Sequence, residues 1–180
     1  PLAENKLGQR LNEAQPATHD WQRKHWTTLQ QSYATGPHVA EMLALVESVF
    51  AAGHASLADL SAASVEALAD SVAVLPETVL RSAELAALEG GGSERVLAIC
   101  RELGAKRYVT GQGAADYLDH AAFDEAGIAV EYMDYEKRTY PQLHGDFTPF
   151  VSALDLLANC GQAGRDVIAP RTVCWKDFVK

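Results

Sequence analysis

The sequence predicts an α/β fold: a layered arrangement with a parallel, Rossmann-like sheet, flanking helices and a helical N-terminal portion. Three observations predict it. From Ser93 to Tyr135, helical and strand-like stretches alternate at the spacing of strands joined by helical crossovers. From Trp21 to Val72, apolar residues recur at three- and four-residue steps instead. Between the periodic stretches lie breaks such as Gly36-Pro37 and Gly90-Gly91-Gly92-Ser93. A chain of 180 residues suits one domain, with a helical portion over 20–72 and an α/β portion over 78–161.

Each element has its own signal. Residues 1–18 are polar and aperiodic. Trp21, His25, Leu29 and Tyr33 follow at four-residue steps behind Asp20, a candidate cap. Met42, Leu45, Val46 and Val49 mark a second helix from about 39 to 52, ended by Gly53. Ser56 to Val72 is a third amphipathic stretch, and Thr78 to Leu85 reads as a short strand. SERVLAICRELGA reads as a helix capped by Ser93 and stopped by Gly104. AKRYVTG reads as a strand, QGAADYLDHAAFDEAG as helix and turn over about 114–126, and IAVEYMDY as a further strand. The expected sheet therefore holds strands near 78–83, 106–110 and 128–134.

Composition excludes several function classes. With 15 Lys plus Arg against 24 Asp plus Glu, the net charge is -9 and the cations are scattered. A phosphate-backbone partner such as nucleic acid is not expected. No apolar run reaches the length of a membrane helix, and no signal-peptide pattern is visible. Cys100, Cys160 and Cys174 lack metal-site spacing and read as reduced thiols of a cytoplasmic protein. The sequence points to no metal and names no cofactor.

Three constellations carry polar chemistry. In YVTGQGAADYL, a strand runs through Thr110, Gly111 and Gly113 toward Tyr117, a place where phosphate meets a helix N-terminus. Asp116 stands where the dinucleotide fingerprint has glycine, so a tight turn explains the stretch equally. In WQRKHWTTLQQSY, Trp21, His25 and Tyr33 either line an aromatic ligand pocket or dock the helix on its core. YPQLHGDFTPFVSALDLLANCG divides in two. Ser152 and Asp155 fit a capping box, Val151 and Leu156 a hydrophobic staple, and Gly161 a helix stop. Tyr140, Gln142, His144 and Asp146 have no such local explanation. They form either a surface loop or a site in which His144 is the catalytic base, oriented by Asp146. That site is expected to share a pocket with Thr110, Gly111 and Tyr117.

These stretches together resemble the WbqC-like family. The resemblance rests on Gly104, Tyr108, Thr110, Gly111, Tyr117-Leu118-Asp119, Phe123 and Gly127-Ile128. It continues in Tyr140, Gln142, Gly145, Phe147, Pro149, Ser152, Asp155-Leu156-Leu157, Asn159 and Gly161. The segment around Trp21, His25, Trp26 and Tyr33 extends it upstream, so that it covers about residues 8–161. The resemblance implies a biosynthetic enzyme of surface polysaccharide (O-antigen-type lipopolysaccharide) or specialised-metabolite pathways. A transferase acting on a nucleotide- or carrier-activated small molecule is the expected form, with a non-catalytic binding or accessory protein as the alternative. Family members begin with a further His- and Pro-containing segment. The expectation is that this chain lacks it, and that a second copy or that segment covers the edge it leaves.

Overall fold

The computed structural model describes residues 8–10, 12–15, 20–86, 90–168 and 170–178. Most of the polar stretch expected over 1–18 lies outside them. In chain order the helices and strands are α1 (Asp20–Ser32), α2 (Val39–Ala51), α3 (Leu57–Ser71), α4 (Gly92–Glu102), β1 (Arg107–Thr110), α5 (His120–Glu125), β2 (Ala129–Met133), α6 (Ala153–Cys160), α7 (Gly164–Ile168), β3 (Thr172–Cys174) and α8 (Trp175–Phe178). The chain divides into two compact units, Pro1–Leu75 with Lys137–Ile168 and Pro76–Glu136 with Ala169–Lys180.

The first unit is helical. The apolar spacing in α2 puts Met42, Val46 and Val49 on one buried face, and Met42 has no exposure. Leu29 of α1 and Leu157 and Ala158 of α6 close on Met42 and Val46. Each of the leucine, valine and methionine side chains contributes roughly 1.5–3 kcal/mol when taken from water. Ser56 caps α3 by accepting the Asp59 amide at 3.1 Å. Asp20 is not a cap: it is the first residue of α1 and pairs along the helix with Arg23 at 2.9 Å and Lys24 at 2.8 Å.

The second unit is mixed α/β, with a small sheet in the order β1-β2-β3. β1 and β2 are parallel, with Tyr108 opposite Val130 and Thr110 opposite Tyr132. Val130 and Tyr132 have no exposure, while the alternating Ala129 and Glu131 are exposed and half-buried. Phe123 of α5 packs on this face together with Leu97 and Cys100 of α4.

Four expectations change here. The sheet is mixed, because β3 joins β2 antiparallel; a Rossmann-like parallel layering is absent among the described residues. The stretch 78–83 forms no strand: Val79 and Leu80 are exposed, and a 3-10 turn at Ser82–Glu84 follows. A short β-branched run forms a strand when another strand pairs with it, and none does. Ser93 lies inside α4, whose N-cap is Gly91, and its hydroxyl instead accepts the Asp119 amide at 2.8 Å. The helix expected over 114–126 is a 3-10 turn at Gln112–Asp116 followed by α5. Asp119 starts α5 by accepting the Ala122 amide at 3.1 Å, a stronger start than the glycine-containing turn before it.

Candidate functional site

Helix α6 carries a buried polar cluster in the first unit. Its entry follows the expected staple region, but the capping box does not form. Ser152 Oγ accepts the Leu154 amide at 3.2 Å, and the Asp155 amide goes to the Ser152 carbonyl at 2.9 Å. An Asp side chain is one methylene shorter than the Glu of a capping box, and Asp155 turns inward instead. It is 6% exposed.

Three donors meet the buried carboxylate. Tyr33 donates to Oδ1 at 3.0 Å; Tyr140 donates to Oδ2 at 2.8 Å and Gln142 at 3.2 Å. Gln142 also holds both backbone polar groups of Thr148, donating to its carbonyl at 2.9 Å and accepting its amide at 2.9 Å. The buried Asn159 donates to the Asp155 carbonyl at 2.8 Å. The position of Asp155 in the first turn of α6 adds the favourable end of the helix dipole. Burial, and then the neighbouring carboxylate, push both phenols up to about 12. Tyr33 and Tyr140 therefore act as hydrogen-bond donors and not as bases.

His144 is exposed, and its Nε2 lies 2.7 Å from the carbonyl of Ser32, next to Tyr33. A carbonyl only accepts, so Nε2 carries a hydrogen and the neutral ring keeps its lone pair on Nδ1. Asp146 is exposed, and among the described residues no hydrogen bond joins it to His144. Phe147 meets Tyr140 edge to face, with centroids 5.5 Å apart.

Backbone closeness holds the far end of α6. The ring of His38 lies against Gly161, where a Cβ would come within 2.5 Å of Nδ1, and Gly161 has φ +55. The His38 amide donates to the Ala158 carbonyl at 3.0 Å. Gly36 passes so close that a Cβ would be 3.1 Å from that same carbonyl. The segment after α1 and the helix α6 thus meet through backbone contacts that side chains would obstruct.

The other sequence candidates fall elsewhere. Trp21 meets Phe50 edge to face at 5.1 Å, and His25, exposed, lies 6.1 Å from the same ring. His25, Phe50, Ser64 and Leu154 border an apolar hollow of about 80 Å³. Thr110, Gly111, Gly113 and Tyr117 belong to the second unit, at the carboxyl end of β1. The two glycines are exposed, and Tyr117 is half-exposed. The five-residue 3-10 turn there lacks the aligned amides of a full helix N-terminus. Burial raises the thiols of Cys100 and Cys160, which disfavours their thiolates. Among the described residues no cluster of His, Cys, Asp and Glu fits a metal, and no helix is long and apolar enough to cross a membrane.

Sequence reasoning assigned Asp155 to a cap and left Tyr33 on an aromatic face, so it missed the centre of the cluster. The available signal was the Asp in place of Glu at the third helical position, together with a tyrosine closing the upstream motif.

The profile of the WbqC-like protein family matches residues 1–167. The uncharacterized protein Rv1507c of Mycobacterium tuberculosis (strain ATCC 25618 / H37Rv) is 32% identical over 165 residues, covering 91% of this chain and 71% of the relative. No solved structure matches. Residues that the sequence separates by more than a hundred positions, Tyr33 and Asp155, are joined directly within the matched span, and the chain belongs to the WbqC-like protein family.

Proposed function

We propose that the chain is a biosynthetic transferase that moves a group from a nucleotide- or carrier-activated donor to an amine or hydroxyl acceptor. The pathway class is surface polysaccharide of the O-antigen type or a specialised metabolite. The observation that supports this most is the pairing of an exposed histidine with a rigid buried hub. His144 is exposed and meets Ser32 through Nε2, which leaves the lone pair on Nδ1, and its loop neighbours Tyr140 and Gln142 are fastened to Asp155. A general base needs a lone pair that reaches the acceptor and a frame that does not move. In this reading His144 Nδ1 takes the acceptor proton, Asp146 lies two residues away to interact with the charged ring, and Asp155 positions the loop. Thr110, Gly111, Gly113 and Tyr117, in the second unit, are proposed as substrate-binding residues of that unit alone, through the exposed backbone of the two glycines and the Tyr117 hydroxyl.

A second reading follows from the hollow beside His25 and Phe50. Its apolar lining suits a small hydrocarbon or aromatic group, as in a non-catalytic binding protein of the same pathway.

A thermal-shift screen of nucleotides, nucleotide sugars, other activated carriers and amino acids separates the two. Stabilisation by an activated donor, followed by transfer to an acceptor, is expected. On that reaction His144→Ala should lower turnover by about 10²–10⁴-fold while leaving the melting temperature nearly unchanged. Normal turnover in His144→Ala removes the base, and stabilisation by apolar compounds alone favours the binding protein.

A further inference from the structure

The second unit contains a polar pair with no part in the reading above. His120, the first residue of α5, has Nε2 2.7 Å from the hydroxyl of Tyr132. Tyr132 lies on β2 opposite Thr110, near the carboxyl end of the two parallel strands, and its ring has no exposure. Ligands of α/β sheets enter at such ends. Here the C-terminal residues cover the pair. The indole of Trp175 stacks on His120 with centroids 4.5 Å apart and planes at 23°. Phe178 stacks on Tyr132 at 4.5 Å and 26°.

The ion pairs that hold this cover are slight. Lys176 pairs with Asp124 at 2.8 Å, and Arg171 pairs with Asp134 at 2.6 Å, all four with substantially exposed side chains. Exposed pairs of this kind contribute from nothing to about 1 kcal/mol each. The Trp175 indole N–H reaches Asp124 at 3.4 Å, and β3 has three residues. By contrast, the pairing of β1 with β2 involves no residue of the cover, whereas Val173, Trp175 and Phe178 pack, half-buried, against the cluster that holds Phe123, Leu118 and Val130. The His120–Tyr132 bond, like the β1–β2 pairing, involves no residue of the cover. The family match ends at residue 167, before the cover begins.

We infer that residues 170–178 form a displaceable strap that blocks a second polar centre, the His120–Tyr132 pair, in the manner of an autoinhibitory contact. Opening the strap frees the imidazole face and the phenol edge while leaving β1, β2 and α5 in place. It requires breaking a three-residue strand, two exposed ion pairs, the side-chain hydrogen bonds of Thr172 to Glu131 and Trp175 to Asp124, two ring stacks and the packing of Val173, a local event and not unfolding of the unit.

Hydrogen exchange on the unaltered chain tests this. The amides of Thr172–Cys174, and that of Asp134, which donates to the Arg171 carbonyl at 2.7 Å, should exchange at least about 100-fold faster than those of the β1–β2 ladder. Exchange of both sets at one rate overturns the inference. In Trp175→Ala, diethyl pyrocarbonate should modify His120 about tenfold faster than in the unaltered chain, with β1–β2 protection kept. Unchanged His120 reactivity, or loss of β1–β2 protection in that variant, shows the tail to be an integral part of the unit and overturns it as well.

Discussion

The two units bury polar chemistry in opposite ways. The helical unit buries a carboxylate and answers it with three donors, one of them 122 residues away along the chain. The α/β unit buries a phenol and answers it with an imidazole 12 residues away and with stacked rings. A buried carboxylate is costly without its partners, so the first arrangement fixes which segments must meet. A buried phenol demands less, and packing carries the second arrangement. The hub at Asp155 is therefore a specification of topology as well as a support for His144, whereas the pair at Tyr132 can tolerate loss of its hydrogen bond.

The largest effect should come from the hub. Asp155→Ala leaves the Tyr33 and Tyr140 hydroxyls without their acceptor and should destabilise the first unit by about 3 kcal/mol or more. Chemical denaturation measures it; a cost below about 1 kcal/mol would mean that Asp155 does not hold the segments together. Next is Gly161→Ala. The new methyl meets the His38 ring, and φ +55 disfavours any side chain, so about 2–3 kcal/mol should be lost. The double change with His38→Ala should recover the steric part and keep the backbone part. Recovery of everything would assign the whole cost to the ring contact.

Smaller effects sharpen the contrast. Tyr132→Phe keeps the stacked ring and removes one hydroxyl, leaving the half-buried His120 within reach of water, and should cost about 1 kcal/mol or less. A loss as large as that of Asp155→Ala would erase the distinction between the units. Alkali gives the effect that is silent near neutrality. Tyr33 and Tyr140 move from 10.0 to about 12, so each holds its proton more tightly folded than unfolded. Below pH 10 their contribution is complete. As pH rises from 10 toward about 12 the unfolded chain ionises first, stability falls, and above about 12 the contribution is gone. Tyrosinate absorbance followed alongside unfolding should show two late-titrating phenols that revert to ordinary behaviour in Asp155→Ala.

How much of this was legible follows from the same contrast. Met42, Val46 and Val49 declared α2 by spacing, and Val130 and Tyr132 declared the buried face of β2 by alternation. The polar residues of 140–147 stood out because no local pattern absorbed them. Asp155 was hidden because it sits where a cap belongs, and the distinction between capping and inward burial is made by Tyr33, far away in the chain. The stretch at 78–83 misled for the converse reason: TVL has the composition of a strand but finds no strand to pair with.

The sequence by itself determined most of the local elements: the helical spacing of α1, α2 and α3, the start of α6 at Ser152, and the strands at β1 and β2. Backbone sterics, hydrogen-bonding reach and side-chain period act over a few residues and can be read there. Tertiary structure alone decided that Asp155 turns inward, that His144 rests on Ser32, that β3 runs antiparallel and that Trp175 covers His120. Those outcomes depend on which distant group arrives to satisfy a buried donor, acceptor or apolar face, and local pattern carries no record of that arrival.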